Sequence, residues 1–235
     1  MRTAAIFCLF VVTTVACGGN AAVDRLPAGS QPASSGGAGG ALAEFPPNHQ
    51  VQSIDDVDHA GGQYPDVPAG SSAFFWRGGL GNWFVSSSDG SASRDAAVDE
   101  VIPPRGDNHK AYHVTQTKPG TAVDLWAQLN HPQGTADLSS YAGVSFWART
   151  DGPAGTLTVA FGANGQVSNI DSAASVPKKV VSISEAWTQF VVRFDEVSLD
   201  RKSVSSIDFF VVGGRSESLD LWVDDLGFLC QDSCP

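Results

Sequence analysis

Five aspartates flank the foldable part of this chain: Asp55, Asp56 and Asp58 near its start, Asp224 and Asp225 near its end. Carboxylates brought together repel and raise each other's pKa. A hard divalent cation removes that penalty, and Ca²⁺ suits it because it accepts many oxygen ligands in loose geometry. Asp55, Asp56, Asp224 and Asp225 are thus the expected metal set, led by Asp56 and Asp224. The other reading has these side chains facing solvent or capping turns. A second group is aromatic. Trp126 alternates with Asp124 and Gln128, Trp147 with Ser145 and Arg149, and Trp222 with Asp220 and Asp224. Indoles stack on the C–H face of a pyranose while amide, guanidinium and carboxylate groups bond its hydroxyls. Trp126, Gln128, Trp147, Arg149 and Trp222 are therefore the expected carbohydrate-binding residues. The competing reading puts the indoles inside a sandwich core and pairs Arg149 with Asp220 or Asp124.

Catalytic signatures are poor, and no enzymatic activity is expected. His109 and His113 are four residues apart, but on an extended strand that is about 13 Å, too far for one metal. The Ser86–Ser88 run, Ser139 and Ser140 have no nucleophile-elbow context. Gly78-Gly79-Leu80-Gly81 does not open a helix, so it does not cradle phosphate.

The 235 residues carry 14 Lys+Arg against 25 Asp+Glu, a formal net charge of −11. That excludes nucleic acid as a partner and charge-driven adhesion to anionic lipid. The chain opens MRTAAIFCLFVVTTVACGGN. Arg2, an apolar run from Ala4 to Val12, then small residues are the layout of a secretory leader over residues 1–16, too short to span a bilayer. From residue 17 to 47 the composition is Gly, Ala, Ser and Pro, as in Ser34-Ser35-Gly36-Gly37. Such a segment cannot bury enough surface to order itself, so a tether is expected there. Cys230 and Cys234 remain near the C-terminus. Outside the cytoplasm that spacing points to a disulfide; two free thiols are the alternative.

Residues 48–235 form short alternating runs rich in Val, Phe, Trp and Thr, separated by Gly, Pro, Asn, Asp and Ser. Eleven such runs lie between Val51 and Phe228. Val144, Phe146 and Ala148 share one face of theirs, and Thr188, Phe190, Val192 and Phe194 share one face of another. At most a turn or two of helix is expected around Asp195–Lys202. About ten strands without intervening helices predict an all-β, two-sheet antiparallel sandwich or jelly roll.

Two resemblances add to this. Thr14-Val15-Ala16-Cys17 resembles the lipobox of bacterial lipoproteins, with Thr14 where Leu is usual. It implies an acylated Cys17, a lipid anchor outside the cytoplasm, and, with Gly18 following, export to an outer membrane where the source has one. Further on come Ile54-Asp55-Asp56-Val57, then Leu80-Gly81-Asn82-Trp83-Phe84, then Tyr141-Ala142-Gly143-Val144-Ser145-Phe146-Trp147-Ala148-Arg149. Ser206-Ile207-Asp208-Phe209 and Leu219-Asp220-Leu221-Trp222-Val223-Asp224-Asp225-Leu226 complete the series. In that order they resemble the galactose-binding-like β-jelly rolls, which include many carbohydrate-binding modules. The resemblance implies adjacent terminal strands, often with a structural Ca²⁺ between them, and a polysaccharide or cell-wall glycan as partner. The alternatives are an envelope lipoprotein that docks a protein, and a hydrolase without a recognisable motif.

Overall fold

The computed structural model describes residues 50–55, 73–76, 79–87, 93–95, 97–105, 108–115, 122–130, 134–152, 154–163, 176–211, 220–231 and 233–234. The segments expected as leader and tether, Cys17, Asp56 and Asp58 lie outside these residues.

Among the described residues thirteen strands form two antiparallel sheets. The first has the order β11 (Thr188–Arg193), β8 (Tyr141–Asp151), β13 (Asp220–Cys230), β6 (Asn108–Thr115), β5 (Ala97–Arg105), with β1 (Val51–Asp55) also on β13. The second has the order β10 (Lys178–Ile183), β9 (Gly155–Ala163), β12 (Val204–Val211), β7 (Val123–Gln128), β3 (Gly79–Ser87), β2 (Ala73–Trp76), with β4 (Ser93–Asp95) on β3. The all-β sandwich expected from the alternation is what forms.

The periodicity locates the core. Val144, Phe146 and Ala148 of β8 are fully buried, as are Val192 of β11 and Leu125 and Ala127 of β7. These residues belong to one apolar cluster between the sheets. Aromatic pairs cross that space. Trp83 of β3 lies 4.4 Å from Tyr112 of β6, Phe146 of β8 lies 4.9 Å from Phe209 of β12, and Trp76 of β2 lies 5.2 Å from Phe228 of β13. Offset and edge-on rings of this kind add about 0.5–1.5 kcal/mol each beyond their buried area.

Several details depart from the sequence reading, and β4, a three-residue strand on β3, is not among the expected runs. β5 was not expected, because Pro103 and Pro104 remove ladder donors. It lies at the edge of its sheet, where proline is tolerated, and its register shifts between Glu100 and Arg105. β3 begins at Gly79 rather than Trp83. No helix forms around Asp195–Lys202; the segment makes turns, with Glu196 N–H donating to Arg193 O and Leu199 N–H to Phe194 O.

Candidate functional site

Each predicted binding residue sits opposite the core face of its own strand, as the alternation requires. The strands, however, belong to different sheets. Trp126 and Gln128 are on β7, in the second sheet. Trp147 and Arg149 on β8 and Trp222 on β13 are in the first. The five residues therefore make two outer surfaces rather than one.

On the first sheet the outer face is largely filled from within, although Arg149 Nε is shielded there without a hydrogen-bond partner among the described residues. Trp222 pairs across the ladder with Arg149 and His113, and Asp224 pairs with Trp147. The His113 ring stacks on Trp222 at 3.8 Å and 9°. The Arg149 guanidinium lies 5.0 Å from the Trp222 ring and 5.5 Å from the Trp187 ring. Arg149 Nη1 meets Asp151 Oδ1 at 2.9 Å, and Trp222 Nε1 donates to Asp151 Oδ2 at 2.8 Å. The alternative pairing of Arg149 with Asp220 or Asp124 does not form; Asp151 is the partner. Asp151 lies two residues along the same strand face, Asp220 is 3.9 Å from His113, and Asp124 is on the other sheet. Trp222 is buried with Ala111, and Trp187 packs against them. A stack already filled by Arg149 and His113 leaves neither indole face for a sugar. The pair His109 and His113 lies along β6, so their separation is that of a strand, as expected.

The outer face of the second sheet is also partly covered: Ala160 and Phe210 are buried there, with Ala122 and Val176 packed against them. Its ladder rungs run Ser206, Gln128, Asn82; then Asp208, Trp126, Phe84; then Phe210, Asp124, Ser86. Phe84 and Trp126 stack at 5.5 Å and 27°. Asp124 and Asp208 occupy adjacent strands and are 7% and 0% exposed, although both project away from the core cluster. Ser206 Oγ donates to Asp208 Oδ2 at 2.8 Å. Burial, and then the neighbouring Asp208 charge, push the Asp124 carboxyl up to about 9. At neutral pH Asp124 is therefore an uncharged acid beside Asp208. Asp124 Oδ1 and Trp126 Nε1 are both out of solvent, and neither finds a hydrogen-bond partner among the described residues. Leaving such a group unmatched costs about 1–3 kcal/mol. Asp208 and Phe84 were not singled out in the sequence. The alternation of Ser206-Ile207-Asp208-Phe209 puts Asp208 on a polar face, but its meeting with Asp124 depends on the β7–β12 pairing.

The aspartates expected to hold a cation are only partly assembled. The first and last strands do pair: Ser53 faces Gly227 and Asp55 faces Leu226. On this side of β13, pairing to β6 ends at Val223 and pairing to β1 begins at Leu226. Asp224 and Asp225 fill that junction. The ladder to β8 shifts there as well, and Asp225 takes φ 47°. Asp224 is buried, and its Oδ1 accepts the Asp225 N–H at 2.8 Å. Two carboxylates and a bulge supply hard oxygen donors of the right kind. Among the described residues no three His, Cys, Asp or Glu side chains converge on one point, and Asp56 lies outside those residues. Cys230 and Cys234 are joined by a disulfide, with Cα atoms 5.0 Å apart.

No protein-family model and no curated protein matches the chain. Solved structures do. The family 30 carbohydrate-binding module of a cellulosomal cellulase of Clostridium thermocellum matches at TM-score 0.50 and 13% identity, over 64% of this chain and 92% of that one. An exo-β-agarase matches at TM-score 0.51 and 12% identity, over 78% of this chain and 25% of the agarase. This chain therefore spans about a quarter of that enzyme's length. A family 11 carbohydrate-binding module from Clostridium thermocellum, in complex with a β-1,3-1,4-mixed-linked tetrasaccharide, matches at TM-score 0.44 and 16% identity, over 63% of this chain and 88% of that one. At these identities the likeness is one of fold.

Proposed function

We propose that this chain is a non-catalytic glycan-binding module, held outside the cytoplasm by lipid on Cys17, and that saccharide binds on the outer face of the second sheet. A shielded, unmatched polar atom occurs on the first sheet too, at Arg149 Nε, so the choice of face rests on the unmatched groups of the second lying beside the Asp124–Asp208 acid pair. The Asp124 carboxyl and the Trp126 indole N–H are withheld from water beside a stacked aromatic pair, and neither has a protein partner among the described residues. Saccharide hydroxyls donate and accept, so they match both groups, while the Trp126 and Phe84 rings supply the apolar platform. The sandwich shared with the cellulase module agrees with this role. A structural Ca²⁺ at the Asp224–Asp225 bulge, completed by Asp56, is the second part of the proposal.

Affinity electrophoresis through gels containing neutral β-glucans, galactans or agarose tests the reading. The chain should be retarded by at least one of them, and Trp126→Ala should abolish the retardation. Unchanged mobility in every gel would overturn it. The acid pair favours one other reading, because a protonated and an ionised carboxyl together are also the equipment of a glycoside hydrolase. Release of reducing ends from a retained polysaccharide, lost in Asp124→Asn, would decide for that reading.

A further inference from the structure

The acid pair narrows the ligand further. Two carboxyls lie on hydrogen-bonded strands, with Asp208 opposite Trp126 and Asp124 opposite Phe210. Both are buried, and Asp208 receives a hydroxyl hydrogen bond from Ser206. Among the described residues the face offers little positive charge around them. β9 presents Thr158 and Ala160, and β3 presents Asn82, Phe84 and Ser86. β4 places Asp95 opposite Phe84 by register. The described cation of the face is Lys178 of β10, an exposed residue opposite Ala160 and two strands from Asp208. A site built for acidic sugars would show the reverse pattern, with arginine forks facing the carboxylates.

Resting on the glycan reading above, we infer that the Asp124–Asp208 pair selects a saccharide bearing a primary ammonium, a 2-amino-2-deoxy sugar unit, over its neutral and acidic counterparts. The ammonium has three donors and a charge. It takes the place of the proton that Asp124 now holds, so both carboxyls become carboxylates and share the cation. One N–H reaches the unmatched Asp124 Oδ1. The Trp126 and Phe84 rings add the attraction of an aromatic face for a cation. The chain's net charge of −11 raises the local concentration of such a ligand and repels a uronate or a sulfated sugar. A neutral hydroxyl can fill the same position, but it leaves the Asp124 proton where it is.

The experiment compares three β-1,4-linked tetramers that differ only at C2: the glucosamine tetramer (ammonium), its N-acetylated form and cellotetraose (hydroxyl). Calorimetry is run on the full-length chain in detergent at mildly acidic pH, where the sugar amine is an ammonium. The glucosamine tetramer should bind about tenfold more tightly than either analogue, the gain of roughly one charge-assisted hydrogen bond. Its heat of binding should depend on buffer ionisation enthalpy with the sign of proton release. The analogues should show no such dependence. In Asp124→Asn and in Asp208→Asn the ratio of ammonium to acetamide affinity should fall toward one, and in Asp124→Asn proton release should vanish. Glucosamine tetramer that binds no more tightly than cellotetraose, or fails to bind, overturns the inference. Retardation by a neutral polysaccharide in the gels, abolished in Trp126→Ala, would in that case leave the glycan reading standing.

Discussion

Trp222 donates its indole N–H to Asp151 at 2.8 Å, across the pair of strands that centres the first sheet. Trp126, at the same kind of alternating position on β7, has its N–H shielded and unmatched among the described residues. Trp222→Ala should therefore cost stability, about 3 kcal/mol or on the order of 10 °C in Tm, while leaving retardation by polysaccharide intact. Trp126→Ala should do the opposite, losing retardation with a smaller change in Tm. Melting curves and affinity gels on the two variants check the assignment of faces. Loss of retardation in Trp222→Ala at a temperature where the variant is folded would move the site to the first sheet.

The Asp124 carboxyl makes stability depend on pH in an unusual direction. Its folded-state pKa is raised from 3.8 to about 9, first by burial and then by Asp208. The folded chain thus holds this proton more tightly than the unfolded chain does. Stability from this group is complete below about pH 4 and declines as pH rises toward 9. Asn cannot ionise, so Asp124→Asn should differ little from the parent near the low end of that window. The variant should then gain Tm progressively, by several degrees at about pH 8, each pKa unit being worth about 1.4 kcal/mol. Thermal melts across that range read the sign directly. A variant less stable than the parent at alkaline pH would show that Asp124 is ionised and paired.

Strand-level features were open to reading because they are local. The Val144, Phe146 and Ala148 face is buried, and Trp126, Trp147 and Trp222 all turn away from the core, since side-chain alternation is a property of each strand alone. Which sheet a strand joins is a long-range fact. Trp126 and Trp147 carry the same local signature, yet β7 pairs with β3 and β12 while β8 pairs with β11 and β13. The Asp124–Asp208 encounter was hidden for the same reason: 84 residues separate the two, and only the β7–β12 register brings them together. β5 was missed through Pro103 and Pro104, a local signal that edge position overrides.

Anchoring should depend on Cys17. Acylation contributes about 0.8 kcal/mol per buried CH₂, so two or more chains hold a protein to a membrane almost irreversibly. Cys17→Ser should move the protein from the membrane to the soluble fraction, or stall it as an unprocessed precursor. Fractionation followed by immunoblotting distinguishes these results from unchanged membrane association, which would refute the lipoprotein proposal.

The Cys230–Cys234 disulfide closes a very short loop, so its entropic contribution is about 1–2 kcal/mol. Other contacts hold the same end of β13. Cys230 is buried in the core, and its N–H donates to Gln50 O at 2.9 Å beside β1. Replacing both cysteines by Ser should lower Tm by only a few degrees. A chain that no longer folds would assign the bridge a structural role beyond loop closure.

The bulge at Asp224–Asp225 supports the last prediction. Pairing on that side of β13 passes from β6 to β1 at these two residues. On its other side β13 stays paired to β8 there, Asp224 opposite Trp147, and buried Asp224 sits beside a left-handed Asp225. A Ca²⁺ bound only by the folded chain adds RT ln(1 + [L]/Kd), about 2.7 kcal/mol at a hundredfold excess over Kd. Chelation should then lower Tm by roughly 5–10 °C, and Ca²⁺ should restore it. Mg²⁺ should restore it poorly, because it demands tight octahedral geometry. Asp56→Asn and Asp224→Asn should each blunt the response to chelator, since both stand in the proposed ligand set. Asp58→Asn, outside that set, should leave it unchanged. A melt indifferent to chelator at neutral pH would remove the cation and leave Asp224 as the acceptor that fixes the Asp225 backbone.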